Sequence, residues 1–281
     1  IDSGLQAIRQ TAARELADGV ITGDVQVATD GSLTGPSVER IDLIDAFATH
    51  VCSFIEGDRL KDLSLAVDAG NGMAGSMWPA VVRDLPITTE ALYFDLDGTF
   101  PNHPADPLDP ANLVDLATAV RQGGHALGLA FDGDADRVFA VDEAGRPVPS
   151  SLIGAAVAER MLAHAPGATI LYNLICSRVV PETIEAAGGH PVRTRVGHSF
   201  IKARMAETDA IFAVEHSGHY YFRDNFRADS GIIAALLLLE AVAVADAPLS
   251  EVVAPNHPKT APGEKKKKVD DPQAPKKKGA A

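Results

Sequence analysis

Cysteine is nearly absent from this sequence. Its 281 residues include only two, Cys52 and Cys176, which lie far apart and match no metal-binding or redox spacing. This argues against a disulfide-stabilised secreted domain and favours a protein of the reducing cytoplasm. The length is sufficient for a sizeable core, and we expect two domains rather than one.

Lysine is also scarce in most of the chain. Before residue 257 the only lysines are Lys61 and Lys202. The whole sequence has a net charge of −13, whereas residues 257–281 hold eight lysines and three acidic residues, so the remainder carries −18. So acidic a protein is not expected to bind nucleic acid through general electrostatic attraction. We predict that the Lys- and Pro-rich segment 256–281 is a disordered tail, with an anion-binding arm as the alternative.

No apolar run is long enough to span a bilayer. The most apolar stretch, residues 231–247, contains Glu240 near its middle, which favours a buried helix, and we predict no membrane segment. The chain opens with no basic segment followed by an apolar one, and its first residue is Ile1 rather than Met. We therefore expect the sequence to begin inside a longer chain.

Short apolar runs that indicate strands alternate with segments of helical apolar spacing. Strands are predicted at 63–69, 88–94, 126–131, 138–141, 168–173, 190–196 and 210–214, and helices at 4–16, 37–55, 111–122 and 151–165. This alternation predicts an α/β protein with mixed, mainly parallel sheets. Turn signals near residue 145 divide it into two tandem α/β domains, 38–145 and 146–255.

Two segments of the chain resemble each other. AFDGDADRVF, from Ala130, and AVEHSGHYYF, from Ala213, both run from a strand through a polar loop into a second apolar stretch. The alignment pairs Asp132 with Glu215, Asp134 with Ser217, and Asp136 with His219. Because the order of elements before each segment also agrees, we predict two domains of related topology whose matching loops face one cleft. The alternative is chance similarity of two strand–loop–strand segments.

The first loop concentrates negative charge. Asp132, Asp134 and Asp136 occupy alternate positions, and in an extended strand such side chains share a face about 6.5 Å apart. Mg²⁺ holds its ligand oxygens at about 2.1 Å, so the loop must curl, which the small residues Gly133 and Ala135 permit. Crowded carboxylates repel one another unless a cation neutralises them, and an all-oxygen set favours Mg²⁺ or Ca²⁺.

The residue after the aspartates favours a site for both metal and phosphate. Arg137 is suited to bidentate phosphate contact beside the carboxylates. An EF-hand Ca²⁺ loop is one alternative, since the three aspartates and Glu143 fall at its positions one, three, five and twelve. Position six, where that loop needs glycine, is Arg137, and the flanks read as strands. A solvated turn in an acidic protein is the other alternative.

Segment 193–204 collects positive charge in an otherwise acidic chain. Its basic residues are Arg193, Arg195, His198, Lys202 and Arg204. We predict that Ser199 caps a helix whose first N–H groups favour an anion, which gives a phosphate site; a capped helix with a basic face is the alternative. The nearby loop EHSGH, residues 215–219, offers a carboxylate, a hydroxyl and two imidazoles that can fix sugar hydroxyls.

A different motif points to another enzyme class. YFDLDGTF reproduces the DxDGT signature of haloacid dehalogenase-like phosphatases, with Asp95 as nucleophile and Asp97 as acid. That chemistry also needs a downstream lysine, and none occurs between Lys61 and Lys202. The prolines of PNHPADP follow at once and disfavour a regular element. We retain this phosphatase as the less favoured alternative.

Taken in order, FDGDADR, VGHSFIK and EHSGH resemble the α-D-phosphohexomutases, particularly their bacterial phosphomannomutase/phosphoglucomutase branch. VDAGNGMAG and DGTFPNHPADP resemble the second domain of that family, and the similarity extends over nearly all of residues 1–255. The resemblance implies a four-domain α/β enzyme that interconverts hexose 1-phosphate and hexose 6-phosphate through a bisphosphorylated sugar and a phosphoserine. Residues 1–37 would be the end of domain one with a linker, followed by domains two and three.

The family's site residues can be carried over by position. The resemblance implies that Asp132, Asp134 and Asp136 hold Mg²⁺ and that Arg137 contacts the reacting phosphate. It also implies a set of residues that bind mannose or glucose phosphates: Glu215, Ser217, His219, His198 and Arg178. These expectations agree with the dependence of phosphoryl transfer on positioning and charge neutralisation.

Three departures from the family pattern are visible. The segment Thr-Ala-Ser-His-Asn-Pro, which carries the family's phosphoserine, does not occur, and the lysine-rich tail begins where a fourth domain should follow. Some relatives have a lysine where this sequence has Ile175, which leaves the general acid/base unassigned. We therefore expect this chain to be inactive alone, and a non-catalytic sugar-phosphate-binding module is the alternative.

Overall fold

The computed structural model describes residues 10, 14, 26–27, 33–34, 41–60 and 62–254. The chain divides into two compact units, residues 1–43 and residues 44–281. In the first unit, β1 (Gln26–Val27) pairs antiparallel with β2 (Leu33–Thr34). The predicted tail 256–281 and most of the predicted remnant of domain one, 1–37, lie outside the described residues.

The second unit contains two five-stranded sheets. The elements of the first are α1 (Ile44–Cys52), β3 (Leu63–Asp68), α2 (Ala74–Val82), β4 (Ile87–Leu92), α3 (Val114–Gly123), β5 (Leu127–Phe131), β6 (Val138–Val141) and β7 (Pro147–Val148), with short 3₁₀ helices at Gly57–Arg59 and Pro110–Leu113. The spatial order is β4-β3-β5-β6-β7, in which β3 is parallel to β4 and β5, while β6 is antiparallel to β5 and β7. Strands β5 and β6 are buried throughout, as continuous apolar runs predict.

The elements of the second sheet follow directly. They are α4 (Ser150–His164), β8 (Thr169–Asn173), α5 (Val179–Ala186), β9 (His190–Thr194), α6 (His198–Thr208), β10 (Phe212–Val214), β11 (Tyr220–Phe222), β12 (Ala228–Asp229), α7 (Gly231–Ala245) and α8 (Leu249–Val253). The spatial order is β9-β8-β10-β11-β12. Strand β8 is parallel to β9 and β10, whereas β11 is antiparallel to β10 and β12.

The two sheets share one topology. In each, the first strand lies between the second and the third, and two antiparallel strands extend the sheet beyond the third. Each sheet therefore has two parallel and two antiparallel pairings. The prediction of two tandem α/β domains with mixed sheets is confirmed, and so is their related topology. The sheets are not mainly parallel, because an antiparallel pair of strands extends each one. The exact boundaries, 38–145 and 146–255, stay a prediction.

Helix α7 lies in the main hydrophobic core. All of its residues from 231 to 243 are buried, which confirms the buried helix predicted for this stretch. Glu240 is fully buried and accepts hydrogen bonds from Arg160 Nε at 3.0 Å and from the backbone N–H of Glu56 at 2.9 Å. The buried charge is thus paired, which avoids the large cost of an isolated one.

Several elements differ from the sequence predictions. Helices α2 and α5 were not predicted. Pro79 lies inside α2 and argues against a helix there, whereas Pro181 lies in the first turn of α5, where proline is tolerated. Residues 41–43, in the first half of the helix predicted at 37–55, are not helical, and α1 begins only at Ile44. Within the described ranges, no helix is both long and apolar enough to cross a membrane.

Candidate functional site

The two loops that the sequence alignment matched lie against each other. We call residues 132–137, between β5 and β6, the aspartate loop, and residues 215–219, between β10 and β11, the polar loop. Arg137 and His219 form an isolated antiparallel β-bridge, and the Val138 N–H donates to the Gly218 carbonyl at 3.4 Å. Both loops follow the carboxyl end of a parallel strand, so equivalent edges of the two sheets meet here.

The two loops also make the same turn. In the aspartate loop the Ala135 N–H donates to the Asp132 carbonyl at 3.2 Å, and in the polar loop the Gly218 N–H donates to the Glu215 carbonyl at 3.2 Å. The donor residue is left-handed in both, with φ of +63° at Ala135 and +88° at Gly218. The predicted alignment therefore holds at the level of backbone conformation.

The three aspartates converge as the metal prediction requires. One carboxylate oxygen from each of Asp132, Asp134 and Asp136 lies within 4.8 Å of the other two. Asp132 is buried, Asp136 is partly buried and Asp134 is exposed, so one face of the cluster is open. Burial and then the charges of Asp132 and Asp134 raise the pKa of Asp136 to about 7. An oxygen-only donor set whose carboxylates repel one another fits a hard divalent cation.

Arg137 closes the aspartate loop on itself. Its N–H and Nε donate to the Asp132 carboxylate at 3.1 and 2.7 Å, and Nη1 donates to Asp106 at 3.3 Å. Burial alone would lower the Arg137 pKa, but the bonds to Asp132 and the charge of Asp106 raise it. The guanidinium is therefore charged and fixed in direction, and its remaining N–H groups are available to an oxyanion. Asp106 was not predicted, because only the fold brings it to this loop.

Two glycines from distant elements, Gly72 and Gly231, pack closely against the backbone of the aspartate loop. The Met73 N–H donates to the Gly133 carbonyl at 2.9 Å, and the Gly231 N–H donates to the Ala135 carbonyl at 3.0 Å. A Cβ at Gly72 would lie 2.6 Å from the Gly133 oxygen, and a Cβ at Gly231 would lie 2.5 Å from the Arg137 oxygen. Only glycine permits backbone contacts this close, so no side chain separates the aspartate loop from Gly72 or from the start of α7.

Glu215 anchors the polar loop from beneath. It is buried and accepts hydrogen bonds from Tyr221 Oη at 2.7 Å, Asn173 Nδ2 at 3.1 Å and the Gly197 N–H at 3.4 Å. Burial and then the bond to Glu215 raise the pKa of Tyr221, so the phenol stays protonated. Asn173 and Tyr221 were not predicted. Their positions at a strand end and in an apolar run give no sign of a shared partner.

The histidines connect the polar loop to the aspartates. His219 Nδ1 lies 2.9 Å from Ser217 Oγ, and His219 Nε2 lies 3.5 Å from Asp136 Oδ1. The His198 ring meets the His219 ring edge-on, with centroids 4.5 Å apart. Burial and then the charge of His198 lower the pKa of His219. The structure thus gathers Ser217, His219 and His198 beside the predicted metal ligands.

Asp229 joins the site from β12 and was not predicted. Its carboxylate lies 3.0 Å from His198 Nδ1 and 3.4 Å from Lys202 Nζ. The sequence offers one indication beside Asp229. The next residue, Ser230, caps α7 by accepting the Ile233 N–H at 3.2 Å. The predicted cap at Ser199 is wrong. Helix α6 begins at His198 after Gly197, whose φ is +122°, and it has no side-chain cap.

The remaining basic residues are not gathered into this cluster. Arg178 has a side chain that is 92% exposed, and it pairs with Glu182 on its own helix at 2.9 Å. In segment 193–204, Arg204 pairs with Glu207 at 2.9 Å, and the Arg195 guanidinium lies 3.7 Å from the Phe200 ring centroid. These contacts are local to α5 and α6.

The structure places the dehalogenase-like motif on an exposed loop and the EF-hand-like pattern between two strands. Asp95 and Asp97 lie on the exposed loop after β4, where the Thr99 N–H and hydroxyl both donate to Asp97 and lower its pKa. Asn71 holds this loop from outside: its Nδ2 donates to the Asp95 carbonyl at 2.8 Å, and its carbonyl accepts the Asp97 N–H at 3.0 Å. The flanks of the aspartate loop are strands β5 and β6, whereas an EF-hand requires helices.

Comparison with known proteins agrees with this geometry. Two family models match: phosphoglucomutase/phosphomannomutase alpha/beta/alpha domain II over residues 42–145, and domain III over residues 149–259. The phosphomannomutase of Escherichia coli is 35% identical over 89% of this chain and 58% of its own length. The phosphomannomutase/phosphoglucomutase of Pseudomonas aeruginosa is 38% identical over 73% of this chain and 44% of its own.

A solved structure has a similar fold. The phosphoglucomutase/phosphomannomutase family protein of Burkholderia thailandensis is 32% identical, with a TM-score of 0.74 over 87% of this chain and 51% of that one. This chain spans about half the length of the relatives it matches. The two models together match well over half of the chain and are consecutive domains of one family. The chain therefore belongs to the phosphoglucomutase/phosphomannomutase family.

Proposed function

We propose that the protein serves phosphohexomutase chemistry, the interconversion of hexose 1-phosphate and hexose 6-phosphate through a bisphosphorylated sugar and a phosphoserine. This chain supplies the metal loop and the sugar-recognition loop, with mannose or glucose phosphates as ligands. One observation carries the proposal: the backbone bridge between Arg137 and His219 sets the carboxylate cluster directly against the polar loop. A metal-binding group and a hydroxyl-binding group therefore face one reacting molecule.

The aspartate loop handles the phosphate. Asp132, Asp134 and Asp136 would hold Mg²⁺, and their all-oxygen donor set and repulsion fit that ion. Bound Mg²⁺ would neutralise the charge of a transferring phosphoryl group. Arg137 is already oriented by Asp132 and Asp106, so it can contact a phosphate oxygen without reordering its side chain.

The polar loop handles the sugar. Ser217, His219 and His198 offer donors and acceptors on the side of the cluster that faces the aspartates. Glu215 keeps the loop in place, and its carboxylate oxygens retain lone pairs for a sugar hydroxyl. Arg178, exposed at the start of α5, would exchange its surface ion pair with Glu182 for a distal phosphate. We also propose that the two domains extend over residues 38–145 and 146–255. We further propose that the protein works in the cytoplasm, where its two free thiols would stay reduced.

Calorimetry with mannose 1-phosphate tests the proposal. We expect binding to the full chain that strengthens when Mg²⁺ is added, because the ion and the phosphate share Arg137 and the aspartate loop. Ser217→Ala should weaken sugar-phosphate binding roughly tenfold, and Ser53→Ala, a serine on another surface, should not change it. Absence of heat at millimolar ligand, or equal binding with and without Mg²⁺, would reject the proposal.

A further inference from the structure

A second set of metal-ligand atoms lies on the sugar side of the site. Ligand atoms of His198, His219 and Asp229 all lie within 4.8 Å of one another. They come from the start of α6, the polar loop and β12, so three separate elements converge. We call this group the imidazole cluster. It shares no residue with the aspartate loop.

One oxygen of this cluster lacks a hydrogen-bond donor. Asp229 Oδ2 is buried and has no hydrogen-bond partner, and the Asp229 side chain as a whole is 8% exposed. His198 Nδ1 lies 3.0 Å from that oxygen, but the contact does not have hydrogen-bond geometry. A buried carboxylate oxygen without a donor is costly. A cation bound between Asp229 and the imidazoles would satisfy it.

The donor set selects a class of ion. Two imidazole nitrogens and one carboxylate suit zinc and similar transition metals, whereas the three carboxylates of the aspartate loop suit Mg²⁺. We propose that the imidazole cluster binds a divalent transition-metal ion of the zinc class. Ligand atoms around tetrahedral zinc lie about 3.4 Å apart, so the side chains must close slightly around the ion. His198 is 47% exposed and has room to rotate.

Charged side chains beside the imidazole cluster affect how tightly it would bind a cation. Lys202 Nζ lies 3.4 Å from Asp229 Oδ1 and opposes a second positive charge, whereas Asp136 lies 3.5 Å from His219 and favours one. A bound ion would occupy both histidines proposed to face the sugar. Zinc-class metals would therefore inhibit sugar-phosphate binding, while leaving the aspartate loop to its own cation.

Zinc titration calorimetry tests the site without any activity measurement. The full chain carrying Asp134→Asn is the parent, because that change disables the aspartate loop as a competing zinc site. Adding His198→Gln should weaken Zn²⁺ binding at least about tenfold, since one of three ligands is lost. Adding His190→Gln, an exposed histidine on β9, should leave the affinity within about twofold.

A third variant guards against a purely structural effect. Lys202→Met in the same parent removes the opposing charge and should tighten Zn²⁺ binding roughly threefold. Equal Zn²⁺ affinity of the His198→Gln and His190→Gln proteins would overturn the proposal, and so would weaker binding by Lys202→Met. Mg²⁺ titration of the unmodified chain reports separately on the proposed function, so failure of either idea is recognised by itself.

Discussion

The aspartate loop and the polar loop share one backbone turn but carry side chains of different chemistry. Each follows the third strand of its sheet, begins with a buried carboxylate and passes through a left-handed residue. At the next two alternate positions the aspartate loop adds two more carboxylates, whereas the polar loop adds the Ser217 hydroxyl and the His219 imidazole. The backbone therefore fixes where a ligand sits, and the alternate side chains decide whether it is a cation or a sugar hydroxyl.

The two loops differ in length by one residue. Phe131 pairs with Val138 across the aspartate loop, whereas Val214 pairs with Tyr220 across the polar loop. The aspartate loop thus holds one more residue between paired strands. The ungapped alignment sets Arg137 beside Tyr220, but Tyr220 pairs with Val214 in its ladder, whereas Arg137 bonds to Asp132 and bridges to His219.

The largest effect is expected from breaking the support of the aspartate loop alone. Gly231→Ala places a methyl group about 2.5 Å from the Arg137 carbonyl oxygen and should lower the free energy of unfolding by about 3 kcal/mol, because the loop or α7 must shift. Alanine is the better helix former, so propensity predicts the opposite sign. Gly98→Ala, with open space around it, is the control and should change stability by less than about 0.5 kcal/mol. Urea unfolding measures both; equal effects would show that the loop does not depend on this contact.

An intermediate effect is expected from breaking the anchor of the polar loop alone. Glu215→Gln replaces a buried carboxylate that accepts three hydrogen bonds with an amide that presents a donor to them. We expect a loss of roughly 2 kcal/mol in the free energy of unfolding and weaker sugar-phosphate binding, with Mg²⁺ affinity retained. Glu207→Gln changes an exposed carboxylate and is the matched control. A stable Glu215→Gln protein with normal sugar binding would contradict the anchoring role.

The smallest effect is expected from making the two turns more alike. Ala135 holds a φ of +63°, where the polar loop has glycine. Ala135→Gly should relieve this strain and raise the free energy of unfolding by about 0.5 kcal/mol, after the loss of a buried methyl group is subtracted. Thermal unfolding at several urea concentrations resolves a change of this size. Destabilisation by 1 kcal/mol or more, on the order of a lost methyl contact, would show that packing at Ala135 outweighs backbone strain.

Much of the fold and the two loops could be predicted, because they depend on local patterns. Apolar runs identified β3, β5 and β10, and the repeat placed Asp132 opposite Glu215. What the sequence did not show depends on contacts between distant residues. Asp229 and Asp106 join the site only because β12 and the loop after β4 fold back onto it.

Local rules also failed where the backbone is unusual. Ser199 has the chemistry of a cap, but α6 begins one residue earlier, after a left-handed Gly197. Helix α2 contains Pro79, and its Gly75 approaches Phe94 so closely that a Cβ would lie 2.1 Å from the carbonyl oxygen. Tertiary packing selects this helix against its local sequence preference.

Mg²⁺ titration calorimetry of two matched variants tests most directly the claim that the loops divide metal and sugar between them. Asp134→Asn changes an exposed carboxylate without burying anything, and Ser217→Ala changes the aligned position in the polar loop. We predict that Asp134→Asn weakens Mg²⁺ binding by about a hundredfold, while Ser217→Ala leaves it within about twofold. Equal Mg²⁺ affinities for the two variants would contradict the account.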